Sequence, residues 1–120
     1  MSNKSPIFVL SKDQTILKEV KNLGYLKVLS ADNMDDAEEI LEEKDVSIII
    51  CGWETSDGKG LEFARRIRTN TKLKNIPFII VIPANEKNHT VTAIKAGVSD
   101  FILEPMGSKL SDKISKFYHT

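Results

Sequence analysis

At 120 residues, 41% hydrophobic and 28% charged, the chain has the size and composition of one water-soluble globular domain, able to bury about two-thirds of its unfolded surface. Its 17 basic and 17 acidic residues cancel, which removes the cationic excess that draws a domain to nucleic acid or to an anionic membrane. The single Cys51 excludes an internal disulfide and implies a reducing, cytoplasmic setting; "MSNKSPIFVL" is too short in apolar residues for a signal peptide, and no run is long enough to span a bilayer.

The first apolar run, "PIFVL" from Pro6 to Leu10, suits a buried strand. "SKDQTILKEVKNLG" then places Ile16, Leu17, Val20 and Leu23 on one helical face, with Ser11 and Gln14 at capping-box spacing and Gly24 as the stop. "YLKVLS" reads as a second strand. In "ADNMDDAEEILEEKD" the residues Met34, Ala37, Ile40 and Leu41 share a face, and acids crowd the first turn where the helix dipole favours them. "VSIIIC" is a third strand, continuously apolar as when helices cover both faces of a sheet.

A third helix starts at Gly60 and carries Leu61, Phe63, Ala64 and Ile67 inward. After the loop "TNTKLKNIP" comes "FIIVI", a fourth strand, and a fourth helix lies within "NEKNHTVTAIKAG", closed by Gly97. "DFILEP" is a fifth strand, and "SKLSDKISKF" a last helix with Leu110, Ile114 and Phe117 inward. There is no repeat, low-complexity segment or internal linker, so residues 1–120 form one domain. Five strands alternating with five helices predict an α/β domain with a doubly wound parallel sheet, in the flavodoxin-like order 2-1-3-4-5.

In such a sheet the functional crevice lies beyond the carboxyl ends of the strands, at the switch between the first and third. The residues delivered there are Ser11, Lys12 and Asp13, then Gly52 and Trp53, then Ile82 and Pro83, then Glu104 and Pro105. At this point the chain resembles the receiver domain of response regulators, the phosphoacceptor module of two-component signalling. The resemblance rests on "CGWETSDGKGLEFARRIR", "NIPFIIVIPA" and "AIKAGVSDFILEPM", in that order, and covers nearly the whole length.

The resemblance implies a set of reactive side chains, and each has been replaced here. Counting back from Gly60, the phosphoacceptor Asp corresponds to Gly52, a register supported by Trp53; a shift of one would bring Cys51 instead. The acidic pair that helps hold Mg²⁺ corresponds to Ser11 and Lys12, the hydroxyl residue ending the fourth strand to Ile82, and the Lys after the fifth strand to Glu104. Phe101 matches the family's aromatic switch and is expected in one inward state. Phosphoryl transfer needs a cation to neutralise developing charge and a nucleophile, so this set predicts a degenerate phosphorylation site, with no metal, no cofactor and no enzymatic activity.

Other residues have plainer readings. Cys51 ends a buried strand and reads as a small core residue; His89 and His119 have no second ligand at metal spacing. Asp13 belongs to the start of the first helix, and Asp57 to a flexible "SDGKG" turn. "DGKG" lacks the spacing of a nucleotide loop, and the acidic run "DDAEEILEEKD" is a solvated helix face.

The leading expectation is a pseudo-receiver that binds signalling proteins, or a second copy of itself, without phosphorylation and without nucleic acid or membrane. The face built from helix four, strand five and helix five offers Lys87, Lys95, Asp100, Lys109 and Lys113 as charged contacts. Two alternatives are a working receiver with a relocated acceptor and a flavodoxin-like small-molecule binder. The latter needs a Gly/Ser/Thr-rich loop after the first strand, where "SKDQT" has no Gly. Because Lys12 and Glu104 reverse the signs expected at their positions, they are also predicted to pair across the crevice.

Overall fold

The structure is a computed structural model and describes residues 5–118; His119 lies outside the described residues. Its elements are β1 (Ile7–Leu10), α1 (Thr15–Asn22), β2 (Val28–Ala31), α2 (Met34–Glu43), β3 (Ile48–Cys51), β4 (Glu54–Thr55), β5 (Gly58–Lys59), α3 (Gly60–Arg68), β6 (Phe78–Ile82), α4 (Thr90–Lys95), β7 (Asp100–Leu103) and α5 (Lys109–Phe117). Five of the strands form one parallel sheet in the order β2-β1-β3-β6-β7, which is the predicted flavodoxin-like order.

Strand alternation divides the core in two. Phe8, Leu10, Ile49, Cys51, Phe78, Ile80 and Ile82 point to the face covered by α2, α3 and α4. Ile7, Val9, Ile48, Ile50, Ile79 and Val81 point to the face covered by α1 and α5. Helices on both faces explain why β1, β3 and β6 read as unbroken apolar runs. β2 at the sheet edge is half-buried and starts later than "YLKVLS" suggests. Gly24 and Gly97 close α1 and α4 at φ +95° and +98°, where a side chain would be strained.

The fourth helix lies within "NEKNHTVTAIKAG" as expected, at Thr90–Lys95, after a 3₁₀ turn over Ala84–His89 with Glu86 at φ −114°. Two local expectations need correction. Ser11 directly follows β1, its N–H donating to the Ala31 carbonyl at 3.2 Å, and does not cap α1; instead the Asp13 carboxylate accepts the Thr15 N–H at 2.9 Å. The "SDGKG" stretch is no loose turn: β4 and β5 pair antiparallel into a short hairpin carrying Asp57 at its tip.

Candidate functional site

The carboxyl ends of β1, β3, β6 and β7 surround a half-open cavity of about 330 Å³, whose walls include Ser11, Lys12, Gly52, Trp53, Glu54 and Glu104. The register β1–β3 brings Leu10 beside Cys51, so the next residues of the two strands, Ser11 and Gly52, form the floor together. The Gly52 N–H donates to the Leu10 carbonyl at 2.8 Å. A Cβ on Gly52 would lie 2.9 Å from the Ser11 hydroxyl oxygen, which therefore occupies room that a side chain at position 52 would need. Ser11 is only 9% exposed, and its hydroxyl has no hydrogen-bond partner among the described residues.

Sequence reasoning placed Ile82 at this site, but the wall there is made by its neighbours Val81 and Pro83. Ile82 itself is fully buried in the core on the α2/α3/α4 side. Glu104 reaches the crevice rim from the end of β7, where its N–H donates to the Ile82 carbonyl at 2.9 Å.

The β3–α3 connection is braced at every step. The Lys12 N–H donates to the Glu54 carbonyl at 3.1 Å, and both the N–H and the hydroxyl of Ser56 donate to the Asp32 carbonyl at 2.7 Å. Asp57 accepts the Met34 N–H through both carboxylate oxygens, at 2.9 and 3.1 Å, and the Thr55 hydroxyl at 2.8 Å. The Met34 bond foremost holds the Asp57 carboxyl below its ordinary pKa; burial, the next largest effect, opposes it, and the Thr55 bond adds to the lowering. Asp57 thus shares the capping of α2 with Asn33, whose side chain accepts the Asp36 N–H.

Charge on the rim is organised around Glu54. Its carboxylate takes the Lys59 amine at 2.8 Å and the Lys12 amine at 3.9 Å, and the Lys59 hydrogen bond followed by the two positive charges lowers its pKa. The predicted pair between Lys12 and Glu104 is not formed; among the described residues Lys12 pairs with Glu54 alone. The reason is the hairpin, which carries Glu54 to Lys12 and fixes the two backbones together. Glu86 lies 3.3 Å from His89 Nε2, and the His89 ring leans on Trp53 at a centroid distance of 5.6 Å.

Among the described residues no three His, Cys, Asp or Glu side chains come together at metal-binding spacing. Cys51 is fully buried, burial pushes its thiol well up, and its S–H donates to the Gly52 carbonyl at 3.3 Å, as befits a core residue.

Residues 8–114 match the family model of the response regulator receiver domain. The chain belongs to that family. Receiver domains are modules of two-component signalling, and this one spans most of its relatives. Chemotaxis protein CheY1 of Helicobacter pylori is 31% identical over 104 residues, which cover 82% of this chain and 84% of that protein. The CheY homolog of Campylobacter jejuni is also 31% identical, with 82% and 80% covered. Among solved structures, a putative response regulator from Chloroflexus aurantiacus superposes with a TM-score of 0.86 at 16% identity, covering 96% of this chain and 98% of that one. The receiver domain of a sensor histidine kinase from Pseudomonas aeruginosa, solved with magnesium in its active-site cleft, gives 0.81 at 18%, covering 96% and 98%.

The Mg²⁺ implied by the fold family does not fit the residues present in this receiver. Gly52 contributes no side-chain ligand, Ser11 offers a hydroxyl where a carboxylate is wanted, and Lys12 brings an ammonium to the rim. Asp13 is bonded to Thr15, Asp57 to Met34 and Thr55, and Glu54 is paired with two lysines; Glu86 and Glu104 remain on the rim, but among the described residues no three such side chains converge.

On the β7 side, Phe101 is half-buried and packs against the α2/α3/α4 core. Asp100 and Lys113, both predicted as charged contacts, bond to each other at 2.9 Å; Asp100 is mostly buried, with Lys116 at 3.5 Å and the Phe101 N–H at 2.8 Å. Burial opposes its ionisation, but these partners together keep its pKa low. Lys87, Lys95 and Lys109 remain exposed, joined by Val91 and Ile94 of α4 at 60% and 58% exposure. Glu54 and the apolar pair on α4 escaped the sequence reading. A two-residue strand has no periodicity to detect, and two exposed apolar residues on a helix look inward until its packing is known.

Proposed function

We propose that this receiver domain works without phosphorylation, as a protein-binding module of two-component signalling located in the cytoplasm and without enzymatic activity. One observation carries the reading: the residue that follows the central strand is Gly52, packed against the Ser11 hydroxyl, where the family places the phosphoacceptor carboxylate. The substitutions Ser11, Lys12, Ile82 and Glu104 support it, since each removes a different requirement of phosphoryl transfer at once. Relocation of the acceptor is disfavoured by the bonding of Asp13 and Asp57, both of which have structural employment.

Partners are proposed to bind the face of α4, β7 and α5, where exposed Val91 and Ile94 lie among Lys87, Lys95 and Lys109. A second copy of the chain is one such partner. With Ile82 in place of a hydroxyl, Phe101 has no phosphate-linked group to follow, so this face keeps one state. The test is incubation with acetyl phosphate or beryllofluoride and Mg²⁺, followed by mass spectrometry and amide NMR. No adduct and no shift are expected; a stoichiometric phosphoryl adduct overturns the reading. Charge reversals on this face should weaken a partner identified by pull-down, whereas loss of binding only on reversal of α2 acids would assign the contact elsewhere.

A further inference from the structure

We infer that the crevice is a recognition pocket for a guanidinium group. The inference deepens the reading of the crevice as a site without a phosphoacceptor. At about 330 Å³ the cavity sits at the lower end of ligand-pocket sizes, suited to a side-chain head or a small molecule and too small for a nucleotide. Its floor holds a polar group that no protein group engages: Ser11 is nine-tenths buried and lines the cavity, and its hydroxyl, which reaches the cavity surface, accepts no hydrogen bond among the described residues. With no side chain at Gly52, the Ser11 hydroxyl itself takes that room on the cavity floor.

The charge around the cavity selects the sign of the ligand. Asp13, Glu54, Glu86 and Glu104 line it, against Lys12 in the wall and Lys59 just outside. Lys59 is bonded to Glu54 at 2.8 Å and Lys12 lies 3.9 Å from the same carboxylate, so the charge of Glu54 is set against both lysines and the remaining acids are not. Glu104 has no ion-pair partner among the described residues, and Glu86 faces only an imidazole. The rim therefore carries surplus negative charge, yet no three donors converge as a metal ion requires.

An organic cation meets these conditions, and shape narrows it further. Trp53 stands half-buried in the wall and supplies an aromatic surface for a flat, weakly hydrated cation. A guanidinium presents five N–H donors in a plane, enough to serve a carboxylate in a bidentate manner and a hydroxyl beside it. Ser11 and Glu104 supply those acceptors from the floor and the rim. The group could come from an arginine of a partner protein or from a free guanidine metabolite, and the chemistry is the same.

The experiment titrates the whole domain with agmatine in one arm and with the blocked tripeptide Gly-Arg-Gly in the other. Trp53, the sole tryptophan, reports by fluorescence, and amide NMR reports at Ser11, Gly52 and Glu104. Saturable shifts confined to the crevice are expected, with dissociation constants of about 1 mM for such small probes. They should weaken at least about tenfold in a Glu86→Gln/Glu104→Gln variant, in which Glu86 is half-buried, Glu104 is exposed and neither belongs to the core. Tighter binding of the tripeptide assigns the source as a partner's arginine; tighter binding of agmatine assigns a free ligand. The inference is overturned if neither probe saturates, if the double variant binds equally, or if sodium chloride at equal ionic strength reproduces the shifts. No phosphodonor is present, so failure here leaves the phosphorylation reading intact, and a phosphoryl adduct in the earlier test would not explain loss of guanidinium binding.

Discussion

Gly60→Ala sets two physical effects against each other at the crevice. Gly60 is the first residue of α3, and helix propensity alone favours alanine there by up to about 1 kcal/mol. Packing says the opposite. A Cβ on Gly60 would overlap the carbonyl oxygen of Gly52 and lie 3.0 Å from the sulfur of Cys51. Neither obstacle can turn aside, because one is backbone at the end of β3 and the other is fully buried. Overpacking of a rigid site costs about 3 kcal/mol, which outweighs the propensity gain and leaves about 2 kcal/mol of destabilisation. For a domain of this size that lowers the melting temperature by roughly 8 °C.

Gly52→Ala is the control. There the nearest obstacle is the Ser11 hydroxyl at 2.9 Å, a group that can rotate away, so the cost should be about 1 kcal/mol or less. Urea and thermal denaturation followed by circular dichroism measure both. A Gly60→Ala domain as stable as the wild type, or a Gly52→Ala domain that is the weaker of the two, would refute the argument.

Removing the Asp57 carboxylate by Asp57→Ala should cost about 1 kcal/mol through the lost cap on Met34. Because its folded pKa is lowered, the ionised-state contribution is present above the unfolded value and lost as pH falls through the folded one. The stability gap between wild type and Asp57→Asn should therefore narrow below about pH 4, and a gap independent of pH counts against the cap. Arg68 donates to the carbonyls of Gly97, Lys74 and Ile76 at 2.6–2.9 Å, so Arg68→Ala should cost about 2–4 kcal/mol in urea denaturation. Arg68→Lys should restore less than half of that, since one ammonium cannot reproduce the planar fork. Double-mutant cycles should show no coupling between Lys12 and Glu104, and a coupling between Lys12 and Glu54 that high salt removes.

The architecture was legible because its signals are local. The runs at β1, β3 and β6 have only one use in a sheet covered on both sides, and Gly24 and Gly97 mark helix ends by their own backbone preference. The site was legible as a set of positions but not as a set of contacts. Ser11, Lys12, Gly52 and Glu104 do share one crevice, whereas Ile82 lies beneath its wall. The partner of Lys12 depended on a hairpin of two-residue strands, and the role of Asp57 on a helix 23 residues earlier in the chain. Such bonds follow from tertiary placement, which no spacing rule encodes.

The Asp100–Lys113 pair has a bearing on how these molecules meet one another. A formal net charge of zero leaves no long-range repulsion between copies, so resistance to unwanted stacking must be local. β7 is one of the two open edges of the sheet, where an approaching extended chain could add itself as a further strand. That edge opens with a carboxylate anchored to two lysines of α5, which a newcomer would have to strip of its partners or bury beside its own backbone. The ion pair thus guards a border as well as joining a strand to a helix.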